Sequence, residues 1–231
     1  MKTNIKLRAA RNEDYSGFRK MEEEAWAGTG VDIISEEMFR TWIKVFPEGL
    51  RLALVNGEVC GHIYSQICDF DPFDESDQRN LYTMTDDMYT IKTHNPGGDC
   101  VYSFSISATN GRMASELVEY SLRLTENLGK RYLTGPMRMS GLDRYADKKG
   151  IKTLTKEVVT RYAKTVNDTI RRKRKGKSKV FDPILSTILN VRKNESGCAR
   201  VIENCFPFPG SQSWGCILYY ENKKFKQKLP N

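Results

Sequence analysis

The central feature of the chain lies between residues 101 and 128, where the period of the apolar positions changes. Val101–Ala108 alternates large and small residues and is rich in aromatic and β-branched side chains, which predicts a strand. Thr109-Asn110-Gly111 follows, a combination that tolerates left-handed backbone angles and predicts a tight turn. The apolar spacing then predicts a long amphipathic helix, whose stripe consists of Leu117, Ser121, Leu124 and Leu128. Unpaired N–H groups at such a helix start, together with the helix dipole, can hold a phosphate, although most strand–turn–helix units bind nothing and neither GxGxxG nor GxxxxGK(S/T) is present.

The residues before this stretch predict three strands and two helices. Periodicity and caps give a strand at Lys6–Ala9, a helix from Tyr15 capped by Asn12, a helix between Ser35 and Pro47, and strands at Arg51–Val55 and Val59–Cys68. Asn56-Gly57 predicts a hairpin turn between the last two strands.

The residues after the central stretch predict further elements of both kinds. Arg131–Thr134 is predicted as a fifth strand, which Gly135-Pro136 ends. The remaining predictions are helices at Leu142–Lys149 and Thr155–Ile170, a short helix or apolar turn at Ile184–Val191, strands at Arg200–Phe206 and Trp214–Tyr220, and a loop at Phe206–Gly210. Helices spread along a mostly sequential sheet indicate a mixed α/β (α+β) fold, with a central sheet of about seven strands and helices on both faces.

The composition is typical of a globular protein. The chain has 231 residues, of which 39% are hydrophobic and 29% charged, enough to bury a sizeable core. No apolar run is long enough to span a bilayer and the N-terminus lacks a signal-peptide core, so we expect no membrane partner and a cytoplasmic protein. The six cysteines form no CxxC pair, which predicts reduced core thiols and no metal site, and a Cys–His nucleophile pair stays open.

The net charge of +8 is unevenly distributed. Asp69–Asp87 holds seven acidic residues and one base, Arg79, and we favour a solvated loop over an acidic lip that attracts a cationic substrate. Arg171–Lys179 holds seven basic residues, and we favour a solvated connection over a nucleic-acid-binding arm because no aromatic residues interleave with it. We predict one domain over residues 1–231, with an acidic insertion near 69–98 and a helical and basic insertion near 152–184.

The order of elements and two motifs resemble the GNAT superfamily, the GCN5-related N-acetyltransferases. The motifs are the strand Val101–Ala108 with the loop Asn110-Gly111-Arg112-Met113-Ala114, and the tyrosine-to-glycine segment Tyr145–Ile151. The opening of the chain, IKLRAARNEDYSGF, is similar to the common start of the family. The C-terminal part resembles a branch in which some members are fused to a carbon–nitrogen hydrolase domain, through Asp182-Pro183-Ile184-Leu185 and the run CARVIENCFPFPGSQSWGCILYYEN.

The resemblance implies acetyl-CoA as a co-substrate, held at its pantetheine by the strand backbone and at its pyrophosphate by the loop. The residues so assigned are Ser105, Ile106, Ser107, Asn110, Gly111, Arg112, Met113, Ala114 and Ser115. Tyr145 would protonate the leaving thiolate, although an ordinary amphipathic tyrosine fits its position too. A backbone N–H of Ile106 or a neighbour would stabilise the oxyanion. Asp69 or Asp71, just past the third strand, could take the proton of the amine through water.

The loop departs from the family signature, which reads Gln or Arg, x, x, Gly, x, Gly or Ala. Gly111 and Ala114 are present, but Arg112 and Met113 stand where a second glycine is expected. A side chain at this point either blocks the approach of the pyrophosphate or, in the case of Arg112, meets the phosphate with its guanidinium. Ser105 and Ser107 either contact the pantetheine or are small residues that face the other side of the sheet.

Three functions are therefore compared. The first is an N-acetyltransferase that moves an acetyl group from acetyl-CoA to a primary amine of a small molecule or peptide, by direct attack in a ternary complex. The acidic segment favours a cationic acceptor. The second is a GNAT-like module without catalysis that binds CoA or a protein. The third is a basic nucleic-acid-binding protein, which the sequence disfavours, and a homodimer stays open.

Overall fold

Seven strands form one sheet in the computed structural model, which describes residues 4–28, 31–74, 81–171, 182–192, 200–208 and 213–225. The strands are β1 (Lys6–Ala9), β2 (Leu50–Val55), β3 (Glu58–Cys68), β4 (Cys100–Ala108), β5 (Tyr132–Arg138), β6 (Arg200–Phe208) and β7 (Ser213–Glu221). The helices are α1 (Tyr15–Trp26), α2 (Glu36–Val45), α3 (Leu81–Thr85), α4 (Gly111–Asn127), α5 (Leu142–Lys149), α6 (Lys156–Arg171) and α7 (Pro183–Leu189). The sheet order is β1-β2-β3-β4-β5-β7-β6, in which β4 and β5 are parallel and the other neighbours antiparallel.

Helices cover both faces of the sheet, which confirms the predicted mixed α/β fold. On one face, α1 and α2 pack on the sheet through a buried cluster that includes Phe18, Phe39, Trp42, Leu52, Tyr64 and Tyr102. On the other face, α4, α6 and α7 bury Val118, Leu122, Tyr162, Val166, Leu185 and Leu189 against β5 and β7. Each helix thus contributes an apolar stripe to one of two core layers.

Caps and turns end the elements where the sequence predicts them. Ser35 caps α2, its hydroxyl accepting from the N–H of Met38 at 3.2 Å. Asn56 and Gly57 have φ angles of 52° and 89°, the left-handed conformation that the β2–β3 hairpin requires. Gly150 ends α5 with φ of 66°.

The parallel strands β4 and β5 separate after a short paired segment. Their register contains three residue pairs, which are Cys100–Tyr132, Val101–Leu133 and Tyr102–Thr134. Immediately beyond, a Cβ at Gly135 would lie 1.8 Å from the carbonyl oxygen of Ser103, so the backbones touch there and only glycine fits. A bulge in β4 adds to the divergence, because Tyr64 pairs with Ser105 and Ser65 with Ser103, which leaves Phe104 as an extra residue.

The prediction that Gly135-Pro136 ends the fifth strand is wrong, because β5 continues to Arg138. Beyond Thr134 the strand pairs with β7 and its other side has no ladder partner among the described strands. Proline, which lacks the N–H that a ladder bond needs, is tolerated where a strand has an open side. Pro136 therefore occurs where β4 has already diverged.

Replacing Gly135 tests whether this close approach fixes the separation of the strands. We expect Gly135→Ala to destabilise the fold by about 1–3 kcal/mol or more, since the new methyl group collides with backbone rather than with a side chain that could rotate. Urea unfolding followed by circular dichroism measures the loss. Gly17→Ala is the control, because its Cβ meets Val59 at an ordinary 3.4 Å within α1 and should be neutral or stabilising. Equal stability of Gly135→Ala and the unsubstituted protein would contradict the expectation.

Three local predictions are corrected by the structure. Asn12 does not cap α1, because residues 12–14 form a 3-10 turn in which the Asp14 carboxylate accepts from the N–H of Arg11 and pairs with Arg8. Asn110 is extended, with φ of −157°, so the turn into α4 needs no left-handed residue. The loop predicted from Phe206 begins later, because β6 extends to Phe208 by pairing with Ser213.

The two predicted insertions lie partly outside the described residues. In the acidic stretch, residues 75–80 are outside, whereas Leu81–Thr85 forms α3, which the sequence did not predict. In the basic stretch, α6 ends at residue 171 and residues 172–181 are outside, as is Cys198. One domain with two insertions stays a prediction.

Candidate functional site

The separation of β4 and β5 creates an opening in the middle of the sheet. From Ser105 to Ala108, β4 pairs with β3 on one side, and from Phe104 onward it has no strand partner on the other side within the described chain. Alternate residues of such an edge present their N–H and C=O groups to the opening. An extended ligand can therefore pair with the backbone of β4 in the place of a strand.

The start of α4 lies at the far end of this opening. The Asn110 side chain accepts from the N–H of Met113 at 3.1 Å, and the N–H of Ala114 bonds to the Asn110 carbonyl at 3.1 Å. The N–H groups of Gly111 and Arg112 have no hydrogen-bond partner in the described part of the chain. Two backbone donors and the positive end of the helix dipole thus point out of the helix start.

The side chains around this helix start do not cover the N–H groups of Gly111 and Arg112. Met113 is buried in the core, where its sulfur lies 3.3 Å from the Thr109 hydroxyl, and Arg112 is exposed. Ser115 is occupied by a hydrogen bond from its hydroxyl to the Gly111 carbonyl at 2.9 Å. A Cβ at Gly111 would lie 3.3 Å from the Thr187 hydroxyl, so α7 packs closely against the first turn of α4.

A buried histidine reaches the strand edge from the α1–α2 face of the sheet. His62 on β3 is completely buried, and its Nε2 lies 2.9 Å from the Ser105 hydroxyl. Its Nδ1 faces the Glu22 carboxylate of α1 at 3.5 Å and makes no hydrogen bond to the described residues. Glu22 is itself only 3% exposed. The three side chains form a chain of proton-carrying groups that ends at Ser105 on β4.

Three further side chains, Trp26, Ser107 and Arg138, extend this group. The Trp26 indole N–H donates to Glu22 at 3.2 Å and to the Ser107 hydroxyl at 3.0 Å. The Arg138 guanidinium lies over the Trp26 ring, 4.9 Å from its centroid. We call Glu22, Trp26, His62, Ser105, Ser107 and Arg138 the polar cluster. Ser105 and Ser107 are therefore hydrogen-bonded on the α1 face.

Burial determines the protonation of His62. Removal from solvent lowers the pKa of His62 below its usual 6.5, and the nearby Glu22 carboxylate opposes that effect only in part. The imidazole is accordingly neutral at pH 7. A neutral imidazole can accept a proton, which an imidazolium cannot.

The lowered pKa of His62 predicts how stability depends on pH. The unfolded chain binds the proton more readily than the folded one, so stability is present above pH 6.5 and is lost as the pH falls towards the folded-state pKa. We expect a slope of up to about 1.4 kcal/mol per pH unit from one such proton. Chemical unfolding between pH 7.5 and 5 measures it, and His62→Gln should reduce the slope.

A second histidine provides the comparison for that measurement. Burial also lowers the pKa of His94, which accepts from the Ile67 N–H at 3.2 Å, but His94 is not completely buried. His94→Gln should therefore reduce the slope less than His62→Gln. An unchanged slope in His62→Gln would mean that its neutral state does not contribute to acid sensitivity.

Tyr145 lies on the opposite face from the polar cluster. It is half-buried on α5, its ring centroid is 5.1 Å from that of Tyr162, and it packs against the same core layer as Ile106. Its hydroxyl makes no hydrogen bond within the described chain. Tyr145 and Ile106 thus both border the α4 side of the sheet near the opening.

Asp69 and Asp71 are placed away from these groups. They follow Cys68, which pairs with Cys100 at the other end of β4, about 15 Å along the strand from Ser105. Asp69 accepts from the Asn95 amide at 2.7 Å, and Asp71 accepts from the N–H of Phe73 at 2.8 Å. Their role as the base stays a prediction, and the structure does not bring them to the polar cluster.

Sequence reasoning missed Glu22, Trp26, His62 and Arg138. A signal existed for two of them: Glu22 follows Phe18 by four residues on the apolar stripe of α1, and His62 interrupts a buried strand. A polar residue where burial is expected needs a partner.

In the described ranges, no cluster of three or more potential ligands could hold a metal ion. Within the same ranges, no helix is long and apolar enough to cross a membrane.

Comparisons with known proteins agree with this architecture. No family model matches the chain. The protein called Uncharacterized N-acetyltransferase YkwB, from Bacillus subtilis (strain 168), is 25% identical over 197 residues, which cover 84% of this chain and 77% of YkwB. The predicted likeness to a hydrolase-fused branch stays a prediction.

Two solved structures are similar at low identity. GphF, a GNAT-like decarboxylase in complex with isobutyryl-CoA, has a TM-score of 0.62 at 17% identity, over 94% of this chain and 98% of that one. The loading GNATL domain of CurA from Lyngbya majuscula has a TM-score of 0.65 at 16% identity, with the same coverage. The chain has the GNAT fold, and its similarity to YkwB connects it distantly with the N-acetyltransferases.

Proposed function

We propose that the chain is an acyl-CoA-dependent N-acyltransferase that moves an acetyl group from acetyl-CoA to a primary amine by direct attack in a ternary complex. The observation that carries the proposal is the opening between β4 and β5, with the start of α4 at one end and the polar cluster on one side. The similarity to YkwB, which is called an N-acetyltransferase, supports it. GphF, which has the same fold, was solved with an acyl-CoA.

The residues around the opening fit an acyl-CoA. The unpaired edge from Phe104 to Ala108 would pair with the amides of the pantetheine arm. The N–H groups of Gly111 and Arg112 would receive the pyrophosphate, as in other phosphate sites at helix starts. Because Met113 is buried, it does not obstruct this position, and the exposed Arg112 guanidinium adds a charged donor.

The polar cluster supplies a base for the incoming amine. The nitrogen attacks the thioester carbon, a C–N bond forms and the C–S bond breaks. The proton of the amine passes to the Ser105 hydroxyl, whose own proton moves to Nε2 of His62. Glu22 faces the protonated imidazole at Nδ1 and stabilises its charge. Asp69 and Asp71, the bases predicted earlier, lie too far away for direct transfer.

The other roles come from groups that border the opening. A backbone N–H of Ile106 or a neighbour on the unpaired edge would donate to the thioester oxygen as negative charge develops. Tyr145, on the opposite face from His62, would give its proton to the departing thiolate. His62 then releases one proton to solvent and Tyr145 regains one, which completes the cycle. Holding both substrates in the opening provides much of the rate.

Reversing the charge of Arg112 tests the binding site for acetyl-CoA. We expect the unsubstituted protein to bind acetyl-CoA at micromolar concentrations, and Arg112→Glu to bind at least tenfold more weakly, a loss of about 1.4 kcal/mol. Isothermal titration calorimetry measures both affinities. Arg161→Glu, the same charge reversal on the exposed side of α6, is the control and should leave the affinity unchanged.

The outcomes separate the functions compared at the outset. Binding without thiol release in a screen of primary amines would favour the module without catalysis. No binding at millimolar acetyl-CoA would contradict the proposed function. The Arg171–Lys179 run lies largely outside the described residues, and binding to nucleic acid is checked by its salt dependence.

A further inference from the structure

Arg138 is a half-buried cation without a carboxylate partner. In β5, the alternation of side chains places it on the α1 face together with Tyr132, Thr134 and Pro136. Its Nε is completely buried and has no hydrogen-bond partner. No hydrogen bond or ion pair joins the two terminal nitrogens to the described part of the chain, and burial is the sole influence on the pKa of Arg138. A partly desolvated guanidinium without a partner costs stability. We therefore expect a ligand of complementary charge to bind Arg138.

Electrostatics agree with the geometry around Arg138. Burial alone lowers its pKa, and no acidic side chain of the described residues acts on it, although Glu22 bonds to the neighbouring Trp26. Three other half-buried arginines have partners: Arg8 binds Asp14 at 2.6 Å, Arg192 binds Glu119 at 2.7 Å, and Arg51 donates to the Tyr120 hydroxyl at 2.6 Å. Arg138 differs from all three in having neither a carboxylate nor a hydrogen-bond partner among the described residues.

The surroundings leave room beside the guanidinium. Its direct neighbour on β7 is Gly215, which has no side chain to cover it. On the other side β4 has diverged, so the same opening that would hold the thioester adjoins Arg138. The guanidinium lies over the Trp26 ring, a cation–π contact that helps to hold it in place, and Ser107 accepts the indole N–H.

We propose that Arg138, which lies over the Trp26 ring, binds a carboxylate of the substrate. Planar guanidinium groups bind carboxylates through two parallel hydrogen bonds, which gives both affinity and orientation. The carboxylate can belong to the amine, as in an amino acid, or to the acyl group, as in a dicarboxylic acyl-CoA. This inference rests on the proposed function for the position of the reacting groups, and it narrows the substrate to one that carries a negative charge next to them.

The test compares probes that differ only in the carboxylate. For the acyl source, calorimetry compares malonyl-CoA with acetyl-CoA. For the amine source, thiol release from acetyl-CoA is measured with amino acids and with the corresponding amino acid amides. In one of these pairs, we expect the unsubstituted protein to prefer the carboxylate roughly ten- to hundredfold. Arg138→Met should abolish the preference, and Arg138→Lys should restore only part of it because it lacks the planar fork.

A matched control separates recognition from folding. Arg131, the residue directly before β5, also lies over an aromatic ring, 4.8 Å from the Tyr132 centroid, but it is exposed at the end of the strand remote from Arg138. Arg131→Met should retain the preference. Thermal unfolding should show Arg138→Met folded, since removing an unpaired buried charge does not leave a partner behind.

Failure of this inference differs from failure of the proposed function. If acetyl-CoA binds but neither pair shows a preference, or if Arg138→Met keeps the preference, the carboxylate site is refuted and the acyltransferase stands. If acetyl-CoA does not bind but malonyl-CoA binds through Arg138, the carboxylate site stands and the acetyl donor is wrong. If neither acyl-CoA binds and no amino acid is acetylated, both are refuted.

Discussion

Asp182→Ala should destabilise the protein by about 3–5 kcal/mol, because it removes the carboxylate that accepts hydrogen bonds from four donors, three of them buried. The donors to its carboxylate are the hydroxyl of Ser140 at 3.1 Å, the N–H of Gly141 at 2.9 Å, the hydroxyl of Tyr162 at 2.7 Å and the N–H of Leu185 at 2.9 Å. Asp182 is fully buried, so water cannot replace these bonds. The carboxylate also caps α7 and thereby joins the start of α7 to the start of α5 and to the middle of α6.

Two variants distinguish the loss of all four hydrogen bonds to Asp182 from the smaller effect of an ordinary substitution. Tyr162→Phe removes one of the four bonds and keeps the ring, so it should cost only about 1 kcal/mol. Asp147→Ala removes an exposed carboxylate of α5 and should change stability by less than about 0.5 kcal/mol. Guanidinium unfolding of the three variants measures the ranking. An Asp182→Ala protein as stable as Tyr162→Phe would mean that the buried donors find other partners.

The hydrogen bonds of Asp182 also support the proposed acyl-CoA site. Thr187 of α7 packs against Gly111 at the first turn of α4, so displacement of α7 would disturb the N–H groups proposed for the pyrophosphate. At temperatures where Asp182→Ala is still folded, its affinity for acetyl-CoA should therefore fall as well. Tyr162→Phe, which keeps the cap of α7, should bind normally.

Local elements of the fold could be predicted from the sequence because their signals are local. The strand, turn and helix around Asn110 follow from a change of period and a cap within one short stretch. The extent of β5 could not be predicted, because Gly135-Pro136 has the composition of a turn and is extended only through its pairing with β7. Insertion of β7 between β5 and β6 likewise depends on contacts far apart in the chain.

The candidate site likewise combines a part set by neighbouring residues with a part set by long-range contacts. The helix start at Gly111 could be predicted from neighbouring residues, whereas the polar cluster joins side chains separated by tens of positions. Glu22, His62 and Ser105 meet only because α1 packs on the β3–β4 pair. Asp69 and Asp71 were chosen as bases because of their place after a strand, and sequence proximity gave no information on which end of β4 faces the opening.

His62→Gln and Ser105→Ala should each lower kcat by about 10²–10⁴ if they form the path for the amine proton, the range of general base catalysis. The assay is thiol release from acetyl-CoA at saturating amine. Because the two groups act in sequence at 2.9 Å, the double variant should be little worse than either single one. KM for acetyl-CoA should change much less than kcat, since neither side chain contacts the pyrophosphate site.

The pH profile and a matched hydroxyl distinguish catalysis from packing. Since burial lowers the pKa of His62, the activity of the unsubstituted protein should persist below pH 6.5 and fall only as the pH approaches that lowered pKa, and His62→Gln should lose this acid limb. Ser65→Ala removes a buried β3 hydroxyl that pairs with Ser103 at 2.6 Å, and it should retain nearly full kcat. Equal losses of kcat in Ser65→Ala and Ser105→Ala, or survival of the acid limb in His62→Gln, would contradict the proton path through His62. The candidate base would then be a carboxylate that acts through water, such as Asp69.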